Sequence, residues 1–154
     1  MPVHPSVLHF QDTLSNGVKY YFNEKHIFKK IRPVNRLDKD TSGIVIFAKN
    51  QYIQECLIKQ MNNNQFRKEY YAILEGNLNE KNGTINASIS RKPNSIIERE
   101  INTNGETAIT HYELIKNFEK NGQKMAFVKF ILETGRTHQI RVHSKYIGHP
   151  ILGD

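Results

Sequence analysis

Two alternating runs, residues 108–115 and 125–132, flank a turn that contains Gly122. A period of two buries one face of each run, so the pair reads as an antiparallel hairpin. Residues 69–74, rich in Tyr and Ile, form a further strand candidate. So do residues 84–89, which alternate after the loop at 80–83. Residues 44–48, Ile-Val-Ile-Phe-Ala, are apolar and mostly β-branched, the composition of a buried strand. Helical patterns lie between these runs. Asp12 or Thr13 can cap a helix whose Leu14, Val18, Tyr21 and Phe22 form one stripe, weakened by Gly17. Asn50 can cap a helix over residues 51–61 with Ile53, Leu57 and Met61 on its buried face, ended by the asparagines at 62–64. Thr137 can cap a short final helix from residue 138 to about 147. Strands dominate without βαβ alternation. The fold class is therefore α+β, a mixed, mainly antiparallel sheet with a few packed helices.

A chain of 154 residues is long enough for one domain with its own core. Its 38% hydrophobic and 24% charged residues are ordinary for a soluble globular protein. The net charge of +7 favours a polyanionic partner, most simply nucleic acid. Residues 26–32 and 90–105 are basic or polar loop candidates that could face such a partner. The single cysteine, Cys56, excludes an internal disulfide and a Cys-based zinc site, and fits a reduced, cytoplasmic setting. No apolar run approaches the roughly 18 residues of a membrane span, and no signal-peptide pattern is present. Phosphate-cradling and dinucleotide-binding glycine motifs are also missing, so nucleotide-cofactor chemistry has no support.

Residues 32–49, RPVNRLDKDTSGIVIFAK, concentrate the chemistry. Asp38 and Asp40 sit in a turn-rich stretch that runs directly into the apolar segment. A loop held by a rigid element is a common place for catalytic groups. Arg36 and Lys39 bracket Asp38 with positive charge, which favours a carboxylate able to act as a nucleophile. The same residues also describe an ordinary surface turn with Asx bonds to the backbone. Using Asp38 and Asp40 as an acid–base pair for glycoside hydrolysis fits poorly, because two acids on one turn cannot oppose each other across a bond.

A downstream pattern weighs against the ordinary turn. Residues 67–76 read RKEYYAILEG, and residues 133–154 read ETGRTHQIRVHSKYIGHPILGD. Together with RLDKDTSG, in this order, they resemble the RluA-type family of RNA pseudouridine synthases, from about Val3 to the last residue. The resemblance implies a single catalytic domain over residues 1–154, lacking one strand at its front and further elements at its end, with no S4-like RNA-binding extension. It implies an isomerase that breaks the N-glycosidic bond of uridine, turns the base and rejoins it through C5. Nothing is oxidised and no group enters or leaves, so no cofactor is expected.

The resemblance also distributes roles. Asp38 matches the catalytic nucleophile. Tyr70 matches the site tyrosine that stacks on uracil and can assist proton removal. Arg141 matches the basic residue that pairs with the catalytic aspartate, and Ile140 beside it lines the apolar wall. Arg36 matches the arginine that fills the place of a flipped nucleotide, since a base must leave its stack before C1′ and C5 can be reached. Arg136, Lys39 and Lys68 are candidates for phosphate contacts. These assignments require Asp38, Tyr70 and Arg141 to converge in one cleft. Taken without the family, Tyr70 is ordinary strand packing and Arg141 an ordinary surface charge.

His138, His143 and His149 do not make a metal site by spacing, because residues five apart do not share a helix face and no acidic ligand accompanies them. Two positions depart from the family pattern: Asn35 stands where histidine often precedes the motif, with little expected effect, and Glu106 stands where lysine is common after Gly105. The expected partner is RNA, ribosomal or transfer, bound by a monomer without membrane or metal. The alternative is a truncated, weakly active or inactive RNA-binding module of the same family.

Overall fold

Thr13, not Asp12, starts the first helix, α1 (Leu14–Glu24). Its hydroxyl accepts from the Asn16 amide, and the Asn16 side chain accepts from the Thr13 amide at 3.2 Å. This reciprocal box satisfies two donors that a helix start leaves open. Asp12 instead meets His9 Nδ1 at 2.6 Å. The structure, a computed structural model, describes residues 1–5, 9–63 and 65–154, and divides into two compact units, Met1–Phe66 and Arg67–Asp154.

In the first unit the stripe of α1 is rotated from the expected one. Leu14, Val18 and Phe22 are half-buried, but Tyr21 is exposed and Ser15 is buried. Ser15 Oγ donates to the Val3 carbonyl at 2.7 Å, and the Leu14 and Ser15 amides donate to the carbonyls of Pro2 and Val3. The leading segment thus docks on the Ser15 side, which at about 100° per residue turns Tyr21 outward.

The second helix, α2 (Gln51–Asn62), is capped by Asn50, whose Oδ1 accepts from the Ile53 amide at 2.9 Å. The expected buried face at Ile53, Leu57 and Met61 is only half right. No residue of α2 is buried, and Ile53 is exposed. Gln54 takes its place. Its Nε2 donates to the Pro33 carbonyl at 2.9 Å, and its Oε1 accepts from Arg32 Nη1 at 3.1 Å. A polar contact, invisible to hydrophobic periodicity, orients this helix. Asn63 follows as its C-cap; Asn64, also expected at the helix end, lies outside the described residues.

The second unit is built on strands β1 (Lys68–Glu75), β2 (Asn82–Asn86), β3 (Ile89–Arg91), β4 (Arg99–Ile101), β5 (Ile109–Lys120) and β6 (Gln123–Leu132), with helix α3 (Gln139–Tyr146). Four of them form an antiparallel sheet in the order β1-β6-β5-β2, which makes the fold α+β as expected. The β5–β6 hairpin turns through Asn121 and Gly122, both at positive φ (54° and 77°). That is the demand of a two-residue turn matched to strand twist, and Asn-Gly meets it best.

The remaining strand readings need correction. Residues 84–89 do not form one strand. After β2 the chain leaves the sheet, and β3 pairs instead with β4 in a separate two-stranded ribbon. Residues 90–105, expected to be loop, therefore contain most of that ribbon. Its register sets Ser90 against Glu100 and Arg91 against Arg99, so polarity masks the strands; only Ile89 and Ile101 form an apolar pair.

The core joins Leu74, Leu78, Ala126, Val128 and Phe130, flanked by Tyr70, Tyr112, Leu114, Ile140 and Ile151. Ile151 bridges Leu74, so the last residues run along the free edge of β1.

Helix α3 begins one residue later than expected and is not capped by Thr137. His138 occupies the N-cap position in the left-handed region, at φ 57°, with no side-chain cap bond. Gln139 organises this start. Its Oε1 accepts from the Arg136 amide (2.9 Å) and the Thr134 hydroxyl (2.8 Å), while its Nε2 donates to the Ile109 carbonyl (3.0 Å) and Thr110 Oγ1 (2.9 Å).

Candidate active-site residues

Residues 44–48 are not the buried strand expected from their composition. A single antiparallel bridge joins Phe47 to Pro33, flanked by bonds from the Val34 amide to the Ile46 carbonyl and from the Ala48 amide to the Arg32 carbonyl, both 2.8 Å. Ile44 is 81% exposed. Pro33 has no amide to extend a ladder. Beyond the bridge the Asn35 side chain substitutes for backbone. Its Nδ2 donates to the Ile44 carbonyl at 2.9 Å, and its Oδ1 accepts from the Ile46 amide at 2.8 Å.

These two bonds close the neck of the loop formed by residues 36–43, which carries Asp38. Inside it the Thr41 amide donates to the Asp38 carbonyl at 3.0 Å, making the expected tight turn. Gly43 takes φ 151°, and a Cβ there would lie 3.4 Å from Leu37 Cδ1. Asp38 is half-buried, whereas Arg36, Lys39 and Asp40 are exposed. The first unit therefore holds a carboxylate on a clasped turn with two cations near it in sequence.

The second unit holds the other candidates. Tyr70, on β1 opposite Phe130, is half-buried against the core. Tyr71 points the other way, exposed and stacked on Phe127 at 5.8 Å. Strand alternation thus separates two adjacent tyrosines. On α3, Ile140 packs against the core and Arg141 is exposed, with its Nη2 bonded to the Asp154 carboxylate. Asp154 is itself held by a turn, its amide donating to the Ile151 carbonyl at 3.1 Å with Gly153 at φ 82°. The closing GHPILGD stretch, residues 148–154, thereby gives Arg141 an acidic partner that the sequence reading overlooked.

Lys68 and Arg136, both phosphate candidates, come together. A Cβ on Gly135 would lie 3.6 Å from Lys68 Nζ. Burial, and then the charge of Arg136, lower the Lys68 pKa below its ordinary value.

Gln139 was also overlooked, and His143 was weighed only as a metal ligand, though both lie within the GRTHQIRVH stretch of residues 135–143. His143 is fully buried. Its ring bonds the Ala87 carbonyl through Nε2 and Thr110 Oγ1 through Nδ1, each at 2.9 Å. A carbonyl can only accept, so Nε2 carries the proton and the Thr110 hydroxyl donates to Nδ1. Burial holds the imidazole below its ordinary pKa, and the bond to Ala87 acts weakly the other way. The clue available in the sequence was spacing: positions 139 and 143, four apart, share one helix face. Among the described residues, no group of three or more His, Cys, Asp or Glu could hold a metal ion, and no helix is long and apolar enough to cross a membrane.

Residues 1–146 match the RNA pseudouridylate synthase model, and the chain belongs to that family, in its RluA-type branch. It is 39% identical over 151 residues to YhcT, an uncharacterized RNA pseudouridine synthase of Bacillus subtilis, covering 98% of this chain and 49% of the relative. It is 36% identical over 155 residues to ribosomal large subunit pseudouridine synthase D of Blochmanniella floridana, covering 100% of this chain and 47% of the relative. The chain thus spans about half the length of the curated relatives it matches. Among solved structures, human RNA pseudouridylate synthase domain containing 1 superposes with a TM-score of 0.79 at 27% identity, covering 99% of this chain and 62% of that one.

Proposed function

We propose that this chain isomerises uridine to pseudouridine in RNA, ribosomal or transfer, with Asp38 as the nucleophile. The observation that carries the reading is the family match over residues 1–146, whose R-L-D aspartate sits here on a turn clasped by Asn35. In the reaction the N1–C1′ bond breaks and a C5–C1′ bond forms. C5 loses its hydrogen as a proton, and N1 ends with one. Asp38 attacks the nucleoside, Tyr70 stacks on the uracil and assists removal of the C5 proton, and Arg141 stabilises the carboxylate charge. Ile140 contributes the apolar wall. Arg36 fills the gap left by the extruded nucleotide, whose flipping costs a few kcal/mol. Arg136, Lys39 and Lys68 offset that cost on phosphates.

The test uses RNA transcribed with C5-tritiated uridine. Asp38→Asn is expected to abolish tritium release while RNA binding persists. Release at the unchanged rate in that variant rejects Asp38 as nucleophile. Salt-sensitive RNA binding by the unaltered chain, with no tritium release, would instead leave the chain as an RNA-binding module.

A further inference from the structure

The β3–β4 ribbon and the turns at residues 104–106 and 135–137 enclose an open cleft of about 530 Å³. Its charged lining residues are three arginines, Arg91, Arg99 and Arg136, against one acid, Glu106. Arg91 and Arg99 face each other directly across the ribbon. Like charges in that register oppose strand pairing, so the ribbon's own stability does not explain them.

Arg136 is aimed by two bonds. Its Nε donates to the Thr107 carbonyl at 3.0 Å, and its Nη1 meets Glu106 Oε2 at 2.5 Å. Lys68 crowds the same arginine and is driven toward its neutral form by burial and by that neighbouring charge. An added anion would relieve this crowding. Glu106 is 71% exposed on its side chain, so its pair with Arg136 is open to exchange with a stronger or more multivalent anion. A Cβ on Gly105 would lie 2.5 Å from the Ile89 carbonyl carbon and oxygen, so only glycine lets this turn lie flush against β3. Planar guanidiniums suit the paired oxygens of phosphodiesters, and three arginines line this cleft, with Arg99 Nη1 also donating to the Glu98 carbonyl at 3.2 Å.

We propose that this cleft is a subsite for the phosphate backbone of RNA, gripped by Arg91 and Arg99, in which Glu106 competes with the phosphate for Arg136. The proposal deepens the functional reading above, since it rests on RNA being the substrate. Glu106 sets the affinity of the subsite: while it is bound to Arg136 it excludes the strand, and RNA must displace it.

The test measures binding of the full 154-residue chain to a fluorescein-labelled RNA hairpin across a range of potassium chloride concentrations. Arg91→Gln with Arg99→Gln is expected to weaken binding and to reduce the slope of log affinity against log salt by about 1 for each arginine removed. Glu106→Gln is expected to tighten binding several-fold. A gain of affinity cannot arise from unfolding, so the two variants guard each other. An unchanged affinity and slope in the double arginine variant overturns the subsite, as does unchanged or weaker binding in Glu106→Gln. Binding of inorganic phosphate that depends on these arginines, with RNA affinity unmoved by their loss, also overturns it and leaves a small-anion site. Tritium release reads the reaction separately. A chain that binds RNA through these arginines but releases no tritium keeps the subsite and loses the isomerase reading.

Discussion

Asn35 shows how much one amide can do. Its side chain mimics a peptide group, donating to one backbone carbonyl and accepting from one backbone amide across the neck of the Asp38 loop. The sequence reading gave this position no chemical role and little weight. That is accurate for chemistry and incomplete for architecture. Each net hydrogen bond contributes on the order of 1 kcal/mol. Asn35→Ala should therefore destabilise the chain by about 1–2 kcal/mol in urea unfolding. Because the loop carries the proposed nucleophile, tritium release at saturating RNA should fall further than RNA affinity does. Asn35→Asp, which can still accept from Ile46 but cannot donate to Ile44, should land between the two. If Asn35→Ala loses affinity and turnover in equal proportion, the clasp does not act through Asp38.

At the scale of elements, α3 is docked by polar groups as much as by apolar ones. Gln139 and His143, one turn apart, share Thr110 of β5, and His143 also reaches the Ala87 carbonyl beyond β2. The pKa of His143 is lowered in the folded state. An unfolded chain therefore takes up a proton at a pH where the folded chain does not. The stability contributed by neutral His143 is present above the ordinary imidazole value of about 6.5 and is lost as pH falls through the lower folded value. Melting temperature should drop between neutral pH and pH about 5, and His143→Gln should flatten that part of the profile. Parallel profiles for the two proteins would refute this account. The same element explains why its start was misjudged: Thr137 has the chemistry of a cap, but the Gln139 amide that it would accept from already donates to the Arg136 carbonyl at 3.2 Å. Likewise residues 44–48 have strand composition, yet Pro33 and the Asn35 amide stand opposite them where a regular ladder would be needed.

Across the whole molecule, apolar burial is uneven. Among described hydrophobic residues of the first unit, only Val3 and Ala48 are buried, whereas the second buries Leu74, Leu78, Ile85, Ile89, Ala108, Met125, Ala126, Val128 and Phe130. Phe130 is the largest of the fully buried side chains. Phe130→Ala should cost about 3–5 kcal/mol, read as a shifted urea midpoint, through lost transfer energy and the cavity left behind. A loss below about 1 kcal/mol would mean that the core collapses around the gap.

What could be read without coordinates was whatever depends on near neighbours along the chain. The Asn121-Gly122 hairpin, the helix starts at Thr13 and Asn50, the tyrosine-rich strand and the three family motifs all belong here, because turn dihedrals, caps and strand alternation are short-range properties. Partners distant in sequence were another matter. Gln54 with Pro33, His143 with Ala87, Arg141 with Asp154 and Arg136 with Glu106 are hydrogen bonds and ion pairs of single atoms. They leave no periodic trace, and they exist only once the folded backbone sets donor against acceptor.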